Sequence, residues 1–303
     1  MTAPDDWTAQ PGGLNRLRQA AAAPNDGRAH PATSAAAYLR CLDGIVRREA
    51  LRFLHQRGRF LSALVRPLVW LVIFAAGFRF VLGVSIAPPY ETYVLYEEYV
   101  VPGLCAMVLL FQGMQSSLSM VYDREVGSMR VLLTSPLPRW WLLACKLLAG
   151  VLVGVLQVYV FLAVAWFWEV RPPPIGYLLV LPALLLAGTM LGALGLLLSA
   201  RIRQLENFAG VMNFVIFPMF FASSALYPLW RVKEGSLWLW YVGQANPFTH
   251  AVELVRFALY GRFDPVSAAV VVLALLLFGA LAVLGYDPAR GVMARRGAAG
   301  PPT

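Results

Sequence analysis

No charged side chain interrupts the chain between Tyr177 and Ser199, and nothing else in the sequence restricts its fold as much. A hydrocarbon core about 30 Å thick is crossed by a helix of roughly 20 apolar residues, and this run of Leu, Ala, Gly and Val is long enough by itself. Five other stretches share its character: about Leu64–Leu82, Val100–Val121, Trp140–Trp166, Phe208–Ala225 and Val266–Tyr286. Hydrophobic residues make 59% of the chain and charged residues 14%, with a mean hydropathy of +0.64; soluble domains carry about 25% charged residues. The expected class is all-α, a polytopic membrane protein with six transmembrane helices and both termini on one side.

Cations orient it. The formal charge of +9 would also suit a nucleic-acid binder, but the arginines flank apolar spans, where the cytoplasmic leaflet is the simpler partner. Both tails and the loops at Arg124–Lys146 and Arg201–Arg203, placed on one side, gather most of the 25 Lys and Arg residues. The positive-inside rule makes that side cytoplasmic. Residues 1–34, rich in Ala, Pro and polar side chains, are expected to form a disordered cytoplasmic tail; they have no apolar h-region, so no cleaved signal peptide is expected. Residues 35–60 predict a basic amphipathic helix in the membrane interface. There Leu39, Leu42, Val46, Ala50 and Phe53 share a face, with Arg40, Arg47, Arg48 and Arg52 on the others. Residues 61–286 are the six-span domain, with Arg66 near its start placed to snorkel toward the headgroups, and 287–303 a basic cytoplasmic tail. Cys41, Cys105 and Cys145 lack metal-binding spacing and read as packing residues.

Two segments between the spans carry more pattern than a loop needs. Asp123, Arg124, Glu125 and Arg130 open a short amphipathic piece in which Val126, Met129, Leu132 and Leu133 recur on one helical face. Glu125 and Gly127 head this helix, at whose N-terminus a carboxylate is favoured by the helix dipole. Ser135-Pro136-Leu137-Pro138 stops it, and Arg139-Trp140-Trp141 marks re-entry into the membrane. The second segment, Leu226 to Asp264, is too polar to span and rich in interfacial aromatics. Tyr227, Trp230, Trp238, Trp240 and Tyr241 suit a membrane surface, and Pro228 and Pro247 divide the segment into two short helices. It contains Asn246-Pro247-Phe248-Thr249, with Arg256 further on.

The run MRVLLTSPLPRWWLLACKLLAG, residues 129–150, resembles the cytosolic coupling helix of the type-2 ABC exporter permeases, especially the nodulation-factor (lipo-oligosaccharide) exporter branch. Asn246-Pro247-Phe248-Thr249 with Arg256 is similar to that family's NP(L/F)T…R segment. With the hydropathy profile the resemblance covers about residues 35–286. It implies the membrane subunit of a bacterial inner-membrane ABC exporter for an amphipathic substrate, whether lipid-linked, glycolipid or drug-like. It implies a homodimer, or pairing with a like permease, and a separate ABC ATPase that carries ATP and Mg. Asp123, Arg124, Glu125, Val126, Gly127, Met129, Arg130 and Leu133 would then couple to the ATPase. Tyr227, Pro228, Asn246, Pro247 and Arg256 would belong to re-entrant external helices between spans five and six. Many relatives carry a Gly-Thr-Met-Glu-like run where this chain has Gly127-Ser128-Met129-Arg130, so no specific ATPase contact carries over to Arg130.

The chain lacks an engine of its own. Its only lysines, Lys146 and Lys233, do not sit in the Gly-x-x-x-x-Gly-Lys-Ser/Thr loop that holds nucleotide phosphates. His30, His55 and His250 are isolated, so neither catalytic residues nor a metal site is assigned. Carboxylates lie outside the span centres, which weighs against the alternative, an ATPase-independent secondary carrier or channel. Gln112, Gln115, Gln157 and Asn213 are polar residues within spans, suited either to line a pathway or to bond helix to helix. Asn213 and Pro218 are expected to interrupt the fifth span. The pairs Gly150/Gly154 and Gly188/Gly192 suit close helix packing.

Overall fold

The computed structural model describes residues 35–55, 57–78, 89–90, 95–125, 137–168, 170–202 and 204–285. The tails expected at 1–34 and 287–303 lie outside these residues, as does 126–136, which holds most of the charged elbow. The described residues form ten helices and no strand. In chain order they are α1 (Ala35–His55), α2 (Arg57–Phe78), α3 (Tyr96–Glu125), α4 (Arg139–Phe167), α5 (Gly176–Arg201) and α6 (Leu205–Phe221). Three short helices follow, α7 (Leu229–Gly235), α8 (Leu237–Ala245) and α9 (Pro247–Leu259), and then α10 (Pro265–Gly285).

Four of these, α3, α4, α5 and α10, are long and apolar enough to cross a membrane. The sequence led us to expect six. In α2 the described apolar stretch is Leu64–Ile73, and α6 has 17 residues, about 25 Å at 1.5 Å per residue, short of the hydrocarbon thickness. The fifth stretch, read to Ala225, leaves the helix at Phe221. Neither Asn213 nor Pro218 interrupts α6. Pro218 falls in its last turn, so the missing N–H costs a single hydrogen bond and the helix ends shortly after.

α3 and α5 form the centre. Val100, Val101, Leu104, Ala106 and Leu110 of α3 are wholly buried, and α5 packs against α3, α4, α9 and α10. Burial falls from 72% of the apolar window in α3 to 17% in α10, so α10 turns most of its surface outward. Gly150 and Gly154 of α4 face α3, and Gly188 and Gly192 of α5 face α4. A methyl at Gly150 would come within 2.6 Å of the Ser116 Oγ, and one at Gly188 within 2.9 Å of Val151.

The stretch 35–60 expected to be amphipathic comprises α1 and the start of α2. α1 packs on α4, with the Trp141 indole donating to the Tyr38 carbonyl at 3.3 Å and the two rings 5.3 Å apart. Leu42 and Val46 turn inward, half-buried. Leu39, expected on the same face, is 63% exposed beside Arg40, because the packed stripe follows Tyr38, Cys41, Leu42 and Ile45 instead.

Candidate functional site

The segment before α10 is three helices, not two. Pro228 and Asn246-Pro247 make two of the breaks, and Ser236 makes the third, its hydroxyl accepting from the Leu239 N–H at the start of α8. Serine is a preferred N-cap because its oxygen satisfies an amide the helix leaves unpaired. Trp238 and Tyr241 are largely exposed, while Arg231 and Lys233 lie over the Trp230 and Trp240 rings.

Asn246 does two jobs at the head of α9. Its side-chain oxygen accepts from the Phe248 N–H at 3.0 Å, capping the helix that Pro247 opens. Its amide donates to the Met219 and Ala222 carbonyls at 2.7 and 3.1 Å, satisfying groups that the end of α6 leaves orphaned. Phe248 is buried 6.1 Å from Phe220. Two turns along α9 from Thr249, Arg256 is 2% exposed and pairs with Glu253. Its guanidinium donates to the Ser224 carbonyl at 2.8 Å and lies 4.1 Å over the Tyr99 ring. Burial works to lower its pKa, but Glu253 together with Tyr99 and Tyr90 outweighs it, so the value is raised and the guanidinium stays charged. Burial likewise raises the nearby Tyr90 phenol well above its ordinary range, against the pull of Arg256.

Tyr99 and Tyr96 donate to the Ser224 and Leu226 carbonyls at 3.0 and 2.8 Å, and a methyl at Gly103 would meet the Ala225 carbonyl at 2.5 Å. Tyr227 donates to the Phe221 carbonyl, and Pro228 is buried at the head of α7. The five residues expected in this segment therefore gather at one junction, where α9 locks the end of α6 onto the start of α3.

The other candidates are dispersed. Gln112 lines a crevice between α3, α4 and α5 with Ser116, Gly150 and Gly154, whose free volume is about 10 Å³, about enough for one water. Gln115 is half-buried on α3, Gln157 is 2% exposed in α4, and Asn213 is exposed on α6. Lys146, grouped with the loop on sequence, stands inside α4 and is buried against the same crevice. Of the elbow, Asp123, Arg124 and Glu125 are the last described residues of α3. Val126, Gly127, Met129, Arg130 and Leu133 lie outside the described residues. One residue was underrated: Arg66, expected to snorkel, has its guanidinium 3.8 Å over the Phe111 ring midway along α3.

A family model of the ABC-2 type transporter matches residues 42–260, from within α1 to the end of α9. This chain belongs to that family. As an ABC-2 permease it is the membrane subunit of an ABC transporter and a multi-pass membrane protein. The matched region includes both the elbow and the Asn246–Arg256 lock. The ycf38 protein of Cyanophora paradoxa, which carries the name of a transport permease, is 28% identical over 222 residues, 70% of this chain and 72% of the relative. Its Porphyra purpurea counterpart is 23% identical over 228 residues, 74% and 75% of the two chains. YbhR of Escherichia coli K12, named a probable multidrug ABC transporter permease, is 30% identical over 164 residues, 53% of this chain and 43% of YbhR.

Proposed function

We propose that this permease is the export subunit of a bacterial inner-membrane ABC complex, forming the pathway for an amphipathic substrate while a separate ATPase supplies the energy. The observation that carries this reading is the family match running unbroken across elbow and lock in a chain with no phosphate-binding Lys loop. Six crossings, by α2 to α6 and α10, set both termini in the cytoplasm. In this arrangement 1–34 and 287–303 are tails, 35–60 lies in the interface and 61–286 is the transmembrane domain. ATP and Mg bind on the ATPase, and closure of two ATPases presses on the Asp123–Leu137 elbow and tilts the bundles between inward and outward openings.

A crevice of about 10 Å³ admits no amphiphile, which supports a pathway between two copies, or between this chain and a like permease. The amphipathic cargo and the nodulation-factor branch rest on the resemblance of residues 129–150; the multidrug name of YbhR favours a broad rather than a single cargo. Affinity purification of the tagged full-length chain from its native membrane is expected to bring an ABC ATPase with it. A chain that inserts normally, binds no ATPase and moves cargo without ATP is a carrier or channel instead.

A further inference from the structure

Arg66 is the third residue of the apolar Leu64–Ile73 segment of α2, and its side chain is exposed. An arginine so placed ordinarily reaches back to the headgroups. Here its guanidinium lies over Phe111 at 3.8 Å, and Phe111 is about 16 Å along α3 from Tyr122, the end of the apolar span, at 1.5 Å per residue. That sets the guanidinium well inside the apolar span of α3. Among the described residues no carboxylate is within ion-pair distance and no acceptor bonds the guanidinium. The phenyl ring attracts one face of the cation and leaves the planar fork of donors at its edge unused.

Aromatic side chains of α6 come next to α2. α6 runs antiparallel to α3, its C-terminal end meeting Tyr99 through Ser224. α2 ascends beside it, from Arg66 at Phe111 to Trp70, whose ring lies 6.3 and 6.2 Å from Phe220 and Phe221. One turn back along α6, Phe217 stacks under Phe221 at 6.3 Å and is 43% exposed. Arg66 is likewise one turn back from Trp70, which sets its backbone level with the exposed Phe217, one turn above Asn213. An arginine at membrane depth ordinarily has a counter-charge or water, and the contact of this one is the Phe111 ring.

We propose that Arg66 recognises the headgroup of an anionic amphiphile drawn from the cytoplasmic leaflet. Its phosphate or carboxylate sits on the guanidinium fork, and its chains lie along Trp70 of α2 and the exposed edge of Phe217. This rests on the export reading and narrows its cargo to acidic lipid-like molecules. The fork matters as much as the charge, because a guanidinium binds such anions through two parallel hydrogen bonds.

The test uses the full-length permease in neutral detergent, titrated with phosphatidylglycerol or phosphatidylcholine of equal chain length and read by native mass spectrometry. The wild type is expected to retain phosphatidylglycerol preferentially. R66Q should lose about tenfold of that preference, the value of one charge-assisted contact, with phosphatidylcholine unchanged; R66K should keep part of it, and R48Q on α1 all of it. Phosphatidylglycerol retained equally by R66Q overturns the proposal. So does displacement by inorganic phosphate alone, which would make the site one for a free anion. Absence of a preference in the wild type, with R66Q dissociating a dimer, would give the counter-charge to a second copy and also overturn it. If R66Q does not insert, R66K and F111L decide: unchanged preference in both overturns it. No ATPase is present in this assay, so its outcome is separate from that of the co-purification, which tests the export reading alone.

Discussion

Arg256 can be buried because each part of its side chain meets something different: a carboxylate at Glu253, a carbonyl at Ser224 and a ring at Tyr99. Removing one partner of such a cluster costs more than the cluster contributes, since the others are left desolvated and alone. Glu253 keeps 23% of its surface exposed, so it can recover some solvation, and the loss belongs at the low end of the buried-pair range. Arg256→Ala is expected to destabilise the fold by about 3 kcal/mol, read as a lower melting temperature of the purified chain. Arg256→Lys should fall between, because a point charge keeps Glu253 but cannot also span Ser224 and the ring. A wild-type melting temperature in Arg256→Ala would show that the lock is not what holds α9 to α6 and α3.

At the scale of elements, α3 carries the chain to the elbow, with Asp123, Arg124 and Glu125 as its last described residues. Glu125→Ala is expected to lower ATPase association, through loss of a carboxylate contact, while insertion of the permease stays normal. Leu133→Asp is the stronger probe: a carboxylate forced into an apolar seat should weaken association about tenfold while the amount of permease in the membrane stays normal. Pull-down of the ATPase with each variant measures this. Unchanged association in both would return the elbow to an ordinary loop. α1 adds a mechanical consequence, since Tyr38 is tied to Trp141 at the start of α4, just where the chain leaves the elbow.

For the whole molecule, the outer faces of α6 and α10 are not alike. α10 exposes Val272, Leu273, Leu276 and Leu284, all apolar, whereas α6 exposes Asn213 beside Phe214 and Phe217. Polar side chains inside a membrane turn toward protein or water rather than lipid, so the α6 side is the one expected to face a second copy. Phe214→Cys, at a site 79% exposed, should cross-link two chains in native membranes. Leu284→Cys, 81% exposed on α10, should not. Cross-linking at Leu284 and none at Phe214 would reverse the assignment.

Membrane residence and the four long helices were legible in sequence because each depends on composition over a long window. The Asn246–Arg256 segment was recognisable as a motif, yet its work was not, since its partners Met219, Ala222, Ser224 and Tyr99 come from two other helices. Helix ends were misplaced where a hydropathy run outlasts the helix, as at Ala225, or where a serine cap breaks a segment that prolines alone seemed to divide. Arg66 is the clearest case. Its sequence neighbours fix only that it begins a span, and the usual cost of a buried cation argues for snorkelling. Only the packing of α2 against α3 sets Phe111 beneath the guanidinium, because a ring face can hold a cation that lipid alone would expel.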